Sequence, residues 1–148
     1  MDVLLVGILV GVASIVHSAS PASAVTTRLT IGAGLGNCPA GYVCLWPRDN
    51  FQGTGYAFYS DESDYHALPS PFYIIDNYSM SFYNHANTYD IRFYRYPAKT
   101  GDTFVLCKGD SIASLPPVAN TDTTPGAWYR TGKGWRGQVS GHDFGAWC

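Results

Sequence analysis

Beyond residue 24 of this 148-residue chain, the side chains best suited to chemistry are four cysteines and three histidines. Cys38, Cys44, Cys107 and Cys148 form no Cys-x-x-Cys pair, and His66, His85 and His142 form no His-x-x-x-His pair, so no zinc site is indicated. Carboxylates stand near imidazoles in Asp64-Tyr65-His66 and His142-Asp143, with Ser63 and Ser140 as the nearest hydroxyls. Neighbouring residues on a strand point to opposite faces, and no nucleophile elbow surrounds either serine. Neither cluster therefore reads as a nucleophile with an oriented base, and the chain is not expected to be an enzyme.

The cysteines do different work if the chain is exported. Val3 to Val16 is almost wholly apolar or glycine and leads through Ser18, Ser20 and Pro21 to Ala22-Ser23-Ala24, a small-x-small ending that predicts signal cleavage after Ala24. The apolar run falls short of the roughly 20 residues a spanning helix needs, so no membrane anchor is expected after cleavage. Asp2 with no Lys or Arg is atypical for the start of a leader. In an oxidising compartment the thiols become staples. Four cysteines allow three connectivities, and spacing favours Cys38 with Cys44 and Cys107 with Cys148.

The elements that must carry these residues are short. With 46% hydrophobic, 15% aromatic and 14% charged residues, 25–148 can bury the core of one domain. A net charge of -2 with no basic run excludes nucleic acid as a partner. Clusters of Gly, Pro, Asn and Asp separate apolar segments too short to hold a helical period, which predicts an all-β fold. Strands are expected at Thr26 to Ile31, Tyr42 to Trp46, Gly55 to Tyr59, Ser79 to Tyr83, Tyr89 to Tyr94, Thr103 to Cys107 and Ala127 to Thr131. Within Tyr89 to Tyr94, odd positions read as the buried face and Asp90, Arg92 and Tyr94 as the wet one.

An internal repeat organises these strands. Trp46 to Gly53 overlays Tyr94 to Gly101 at an offset of 48, and Asp64 to Pro69 overlays Ser111 to Pro116 at an offset of 47, both closing on Leu-Pro. An aromatic can lid a folded hairpin, and a glycine seven positions on can take the positive φ that the fold requires.

Aromatic, four residues, aromatic, any residue, glycine resembles the Greek-key signature of βγ-crystallin-like domains. Trp46, Phe51 and Gly53 fit it; the second copy keeps Tyr94 and Gly101 and has Lys99 in place of the second aromatic. Cys38-Pro39-Ala40-Gly41-Tyr42-Val43-Cys44-Leu45, entering the first signature behind an export signal, resembles the streptomycete metalloproteinase-inhibitor family. The resemblance covers roughly residues 38–116 and implies a Greek-key β-sandwich of two related motifs, stapled by disulfides. It also implies a monomeric secreted inhibitor of a thermolysin-like zinc metalloprotease.

A loop held in substrate-like form would lose little entropy on docking. Cys107-Lys108-Gly109 is the candidate inhibitory loop. Enzymes of the implied type prefer a bulky apolar residue after the scissile bond, so contact at Phe104 or Leu106 is the alternative. The family's calcium stretch reads here Asp76-Asn77-Tyr78-Ser79-Met80-Ser81, with Asp76, Asn77 and Ser81 as ligand candidates. Met80 removes an oxygen donor, so at most weak calcium binding is expected, and turn hydrogen bonds are the preferred role of this stretch. The second half offers only Asn120 to Thr124. A carbohydrate-binding module is the alternative function, with Tyr59, Tyr73, Tyr78, Tyr94, Tyr96, Trp128, Trp135 and Trp147 as a possible stacking platform and no protease target.

Overall fold

The computed structural model describes residues 26–115, the strand 127–129 and residues 135–148. The leader, Asn120 to Thr124, the side chain of Trp128 and the glycines at 132 and 134 lie outside the described residues.

The described strands are β1 (Arg28–Ile31), β2 (Val43–Trp46), β3 (Gly55–Phe58), β4 (Ser81–Asn84), β5 (Asp90–Tyr96), β6 (Thr100–Leu106), β7 (Ser111–Ile112), β8 (Ala127–Tyr129) and β9 (Gly141–Gly145). They form two antiparallel sheets, ordered β1-β3-β2-β4-β7 and β8-β6-β5-β9. An isolated bridge from Glu62 to His142 extends the second sheet beyond β9.

This order is the repeat made three-dimensional. β2 and β3 correspond to β5 and β6, β4 to β9, and the outer β1 to β8. The third strand of each Greek key crosses to the other sheet: β7 joins β4, and Glu62 joins β9. The backbone repeats in detail. Left-handed φ values fall at Asn50 (55°), Phe51 (60°) and Gly53 (84°), and again at Ala98 (56°), Lys99 (57°) and Gly101 (81°), each pair 48 residues apart.

The second sequence overlay needs correction. Asn50 N–H donates to Ala113 O where Ala98 N–H donates to Ser63 O, and Leu115 N–H donates to Met80 O where Tyr65 N–H donates to Ser140 O. The crossing strands are therefore equivalent at an offset of 50, and the two Leu-Pro pairs at 47 are not structural counterparts. Both prolines follow buried leucines, Leu68 and Leu115, which is why they looked alike.

The main core lies between the sheets. Phe82 from the first sheet meets Phe93 from the second at 4.8 Å, and rings continue through Phe104 to Trp135. A smaller cluster of Cys38, Tyr42, Cys44, Trp46 and Ala57 covers the outer face of the first sheet, so β2 is buried on both faces. On β5, Ile91 and Phe93 are buried as expected. Tyr94, assigned to the wet face, is also buried, and Tyr89 is exposed. The Tyr94 hydroxyl donates to Asp143 Oδ2 at 2.8 Å, and the ring that lies against Gly101 of the β5–β6 hairpin is that of Tyr96.

Candidate functional site

Both disulfides form as spacing favoured: Cys38 with Cys44 and Cys107 with Cys148. The second lies beside the chain that leaves β6. There Asp110 N–H donates to Cys107 O at 3.0 Å and Gly109 has φ +83°, closing a β-turn over Cys107–Asp110. The candidate loop is thus a tight turn and not an extended segment. Lys108 and Gly109 are exposed, and a Cβ built on Gly109 meets nothing within 4 Å.

The N–H groups of Lys108, Gly109 and Asp110 are all bonded. Lys108 N–H donates to Asp90 Oδ1 at 3.1 Å, and Gly109 N–H to Asn84 O at 2.9 Å. Asn84 is fully buried; its own N–H donates to Asp110 O, its side-chain amide donates to Leu106 O and Tyr89 O, and its Oδ1 accepts from Ala86. Asp90 also reaches the end of the chain, where its Oδ2 accepts from the N–H of Trp147 at 2.7 Å and of Cys148 at 2.8 Å. Burial raises the Asp90 carboxyl, but the three backbone donors, aided by the Lys108 charge, hold it below the usual carboxylate range. Trp147 folds back beneath the Arg92 guanidinium, 4.0 Å from its ring centroid. This needs glycine at 145, where a Cβ would meet the indole at 2.5 Å.

Phe104 and Leu106 need correction as contact residues. Both are wholly buried, facing the core from β6, and a partner could reach them only by opening the sandwich. Asp90 and Asn84 were missed. Asp90 is 18 residues from Lys108 and 58 from Cys148, so no local pattern marks its role; only the pairing of β5 with β9 brings them together.

The calcium candidates are committed elsewhere. Ser81 Oγ donates to Arg48 O at 2.7 Å and accepts Phe51 N–H at 3.0 Å, tying down the first hairpin. Asn77 has φ 52°, donates to Asp76 Oδ2 and accepts from Ser140 Oγ. Asp76 Oδ1 is buried without a partner, a single free oxygen where calcium needs six to eight. By the same symmetry that matches Trp46 with Tyr94, Met80 N–H and Ser140 N–H donate to the carbonyls of those residues, so the second copy of the stretch is Arg136 to Gly141 rather than Asn120 to Thr124. It opens with a cation: Arg136 pairs with Asp49 at 2.7 Å, and Ser114 donates to the same carboxylate. These residues do not fit a calcium site.

The histidines are structural. His66 N–H closes a turn on Asp64, and His85 Nδ1 lies 2.9 Å from Cys38 O. His142 is fully buried, and burial pushes it down to about 3, so it is neutral at physiological pH. A carbonyl only accepts, so Nε2–H donates to Ser60 O and Nδ1 accepts the Tyr65 hydroxyl at 2.6 Å.

Of the aromatic platform, Tyr94 and Trp135 are buried and Trp147 lies under Arg92. Tyr59, Tyr73, Tyr78 and Tyr96 are exposed, with Tyr73 and Tyr78 flanking an open depression of about 410 Å3 beside Asp76.

Among proteins of known family, the model of peptidase inhibitor family I36 matches residues 33–106, half of the chain. The chain belongs to peptidase inhibitor family I36. Within that match lie the first disulfide, both hairpins and β6; the Cys107–Asp110 turn follows directly after it. The I36 protein also has a structural neighbour, solved in work on the evolution of the eye-lens βγ-crystallin domain fold. It has a TM-score of 0.57 and 16% identity, and covers 81% of this chain and 98% of the neighbour. At that identity the likeness shows the fold. No curated protein matches the chain. As a member of I36 the protein is a protease inhibitor and not an enzyme.

Proposed function

We propose that the I36 protein is exported, loses its leader after Ala24, and blocks a secreted thermolysin-type zinc endopeptidase with the Cys107-Lys108-Gly109 turn. One observation carries this reading: Lys108 and Gly109 are exposed, yet the N–H groups of Lys108, Gly109 and Asp110 are all bonded and a disulfide fixes the first residue of the turn. A protease cleft binds extended chain. Engagement therefore opens the Asp110 to Cys107 hydrogen bond while the disulfide and Asp90 hold the flanks in place. Opening costs the turn its hydrogen bond, but with both flanks fixed the reordering is confined to the turn, and cut ends that stay in position make cleavage slow or reversible.

The secreted protein is titrated against a thermolysin-like enzyme, with trypsin and subtilisin as controls. Stoichiometric loss of metalloprotease activity is expected; full activity at tenfold excess overturns the reading. A second reading, carbohydrate binding, is favoured by Tyr73 and Tyr78 beside Asp76. Retention on insoluble chitin or cell-wall polysaccharide, lost on Tyr73→Ala with Tyr78→Ala, separates the two.

A further inference from the structure

We infer that the depression formed by His66, Tyr73, Ile74, Asp76 and Tyr78 is a binding site for a lysine side chain of a partner protein, an inference that does not depend on the inhibitory turn.

Apolar side chains gather here out of proportion to the rest of the surface. Among the described residues six large apolar side chains are exposed, and three of them, Tyr73, Ile74 and Tyr78, line this one depression of about 410 Å3. Exposed apolar groups collected in one place mark a surface that something covers. Their backbone is held. Tyr73 and Ile74 lie on the short 3-10 helix Phe72–Ile75, Asp76 N–H donates to Tyr73 O and Tyr78 N–H to Ile75 O, both at 3.1 Å, and Asn77 N–H crosses to Val139 O at 3.0 Å. The rim is set before a ligand arrives, so docking orders little of the protein.

Asp76 gives the site its sign. Its side chain is only 13% exposed, Oδ1 is buried without a partner, and Oδ2 accepts from the neutral amide of Asn77 at 3.1 Å. Among the described residues no Lys or Arg pairs with it: Arg28 is engaged with Glu62, Arg95 with Asp102, Lys99 with Asp61 and Arg136 with Asp49. The imidazole of His66 stands 3.8 Å from Oδ2, too far for a hydrogen bond, and that side chain is 81% exposed. A largely buried carboxylate without a fixed cation favours one from outside.

The class of cation follows from the two oxygens. A guanidinium binds a carboxylate best through two parallel N–H···O bonds. Here Oδ1 is covered, and Oδ2, on the side of His66, is the oxygen turned to the depression. One open oxygen suits a point charge, which an ammonium is and a planar fork is not. The unbranched stem of lysine then lies along Tyr73, Ile74 and Tyr78, and tyrosine rings attract a cation over their faces. A neutral sugar stacked on the same rings leaves the carboxylate uncompensated.

The secreted protein is titrated with end-blocked tripeptides carrying lysine, arginine or norleucine between two glycines, and with N-acetylglucosamine trimer, while the ring signals of Tyr73 and Tyr78 are followed by NMR. The lysine peptide is expected to shift both rings saturably. Norleucine keeps the apolar stem and lacks the charge, so its peptide is expected to bind about fivefold more weakly, and the arginine peptide also more weakly than lysine. Asp76→Asn is expected to weaken the lysine peptide about fivefold and to leave the norleucine peptide unchanged. The absence of a saturable shift, or norleucine or arginine bound as tightly as lysine by the wild-type protein, overturns the site whether or not the variant folds. Tighter binding of the sugar trimer than of the lysine peptide makes the depression a sugar platform and overturns it too. The readout lies at these rings and not at protease activity, so failure here is distinct from failure of the inhibition titration.

Discussion

Lys99 shows how a signature can lose a residue and keep its geometry. It occupies the position of Phe51 with nearly the same left-handed φ, 57° against 60°. Phe51 packs edge-on to Trp46 at 5.4 Å, whereas Lys99 reaches Asp61 at 2.7 Å and Asp143 at 3.9 Å. Burial lowers the Lys99 ammonium, but the hydrogen bond to Asp61 and the neighbouring carboxylates more than offset it, so the charge persists. The first hairpin instead depends on Ser81, which satisfies one amide and one carbonyl of the turn. Ser81→Ala strands both groups in a half-buried place and is expected to cost about 1–3 kcal/mol in urea unfolding. Since Ser81 is committed to the hairpin and Arg136 replaces an oxygen donor, millimolar calcium is expected to leave Tm unchanged; a clear rise would show a site that these contacts do not describe.

Hairpins were the elements most readable from sequence, because their determinants are local. Trp46 with Gly53 and Tyr94 with Gly101 marked both, and the backbone repeats there almost angle for angle. At Gly101 a Cβ would meet the Tyr96 ring at 2.5 Å, and at Gly53 the nearest atom is Pro47 Cγ at 3.3 Å. Both have positive φ, so alanine is expected to destabilise each, by about 1 kcal/mol or more, with Gly101→Ala the worse in thermal melts. β7 and β9 were not foreseen. β7 is two residues long, and Gly141–Gly145 mixes glycine, a buried histidine and an aspartate, so neither carries strand composition. Their positions follow from pairing with β4 and β5, which is nonlocal. For the same reason the turn was found through its cysteine, while the residues that fix it, Asp90 and Asn84, were not. Loop length ranks the staples: in the chain-entropy model, a separation of 41 residues makes Cys107–Cys148 worth about 4 kcal/mol, against about 2.4 kcal/mol for the separation of 6 at Cys38–Cys44. Paired Cys→Ser variants are expected to lose stability in that order.

The two Greek keys enclose one core, and they fill it unequally. Under the symmetry that pairs Glu62 with His142 and Ile112 with Phe82, His142 stands in the second sheet where Phe82 stands in the first. Its ring does an aromatic's work, 5.4 Å from Phe58 and 6.1 Å from Phe93, and both its nitrogens are hydrogen-bonded while burial keeps it neutral. That choice makes the whole fold sensitive to acid. Folded, His142 resists protonation down to about 3; unfolded, it takes a proton near its ordinary 6.5. Between these values the unfolded chain binds more protons, so stability falls as pH falls, by up to about 1.4 kcal/mol per pH unit. Asp49, Asp61 and Asp90 are held below their ordinary value despite burial, which raises them: by Arg136 and Ser114, by Lys99 and Phe144 N–H, and by backbone amides, respectively. Their contribution is present above the unfolded carboxylate value and is lost only at lower pH, so it does not confuse the interval from 6.5 to 4.5. Urea unfolding across that interval is expected to show a loss of about 2 kcal/mol traceable to His142. His142→Phe leaves the Tyr65 hydroxyl buried without its partner and costs stability at neutral pH, yet it is expected to flatten the slope. A variant that keeps the wild-type slope would show that the proton is taken up elsewhere, and that the buried histidine does not set the acid limit of the fold.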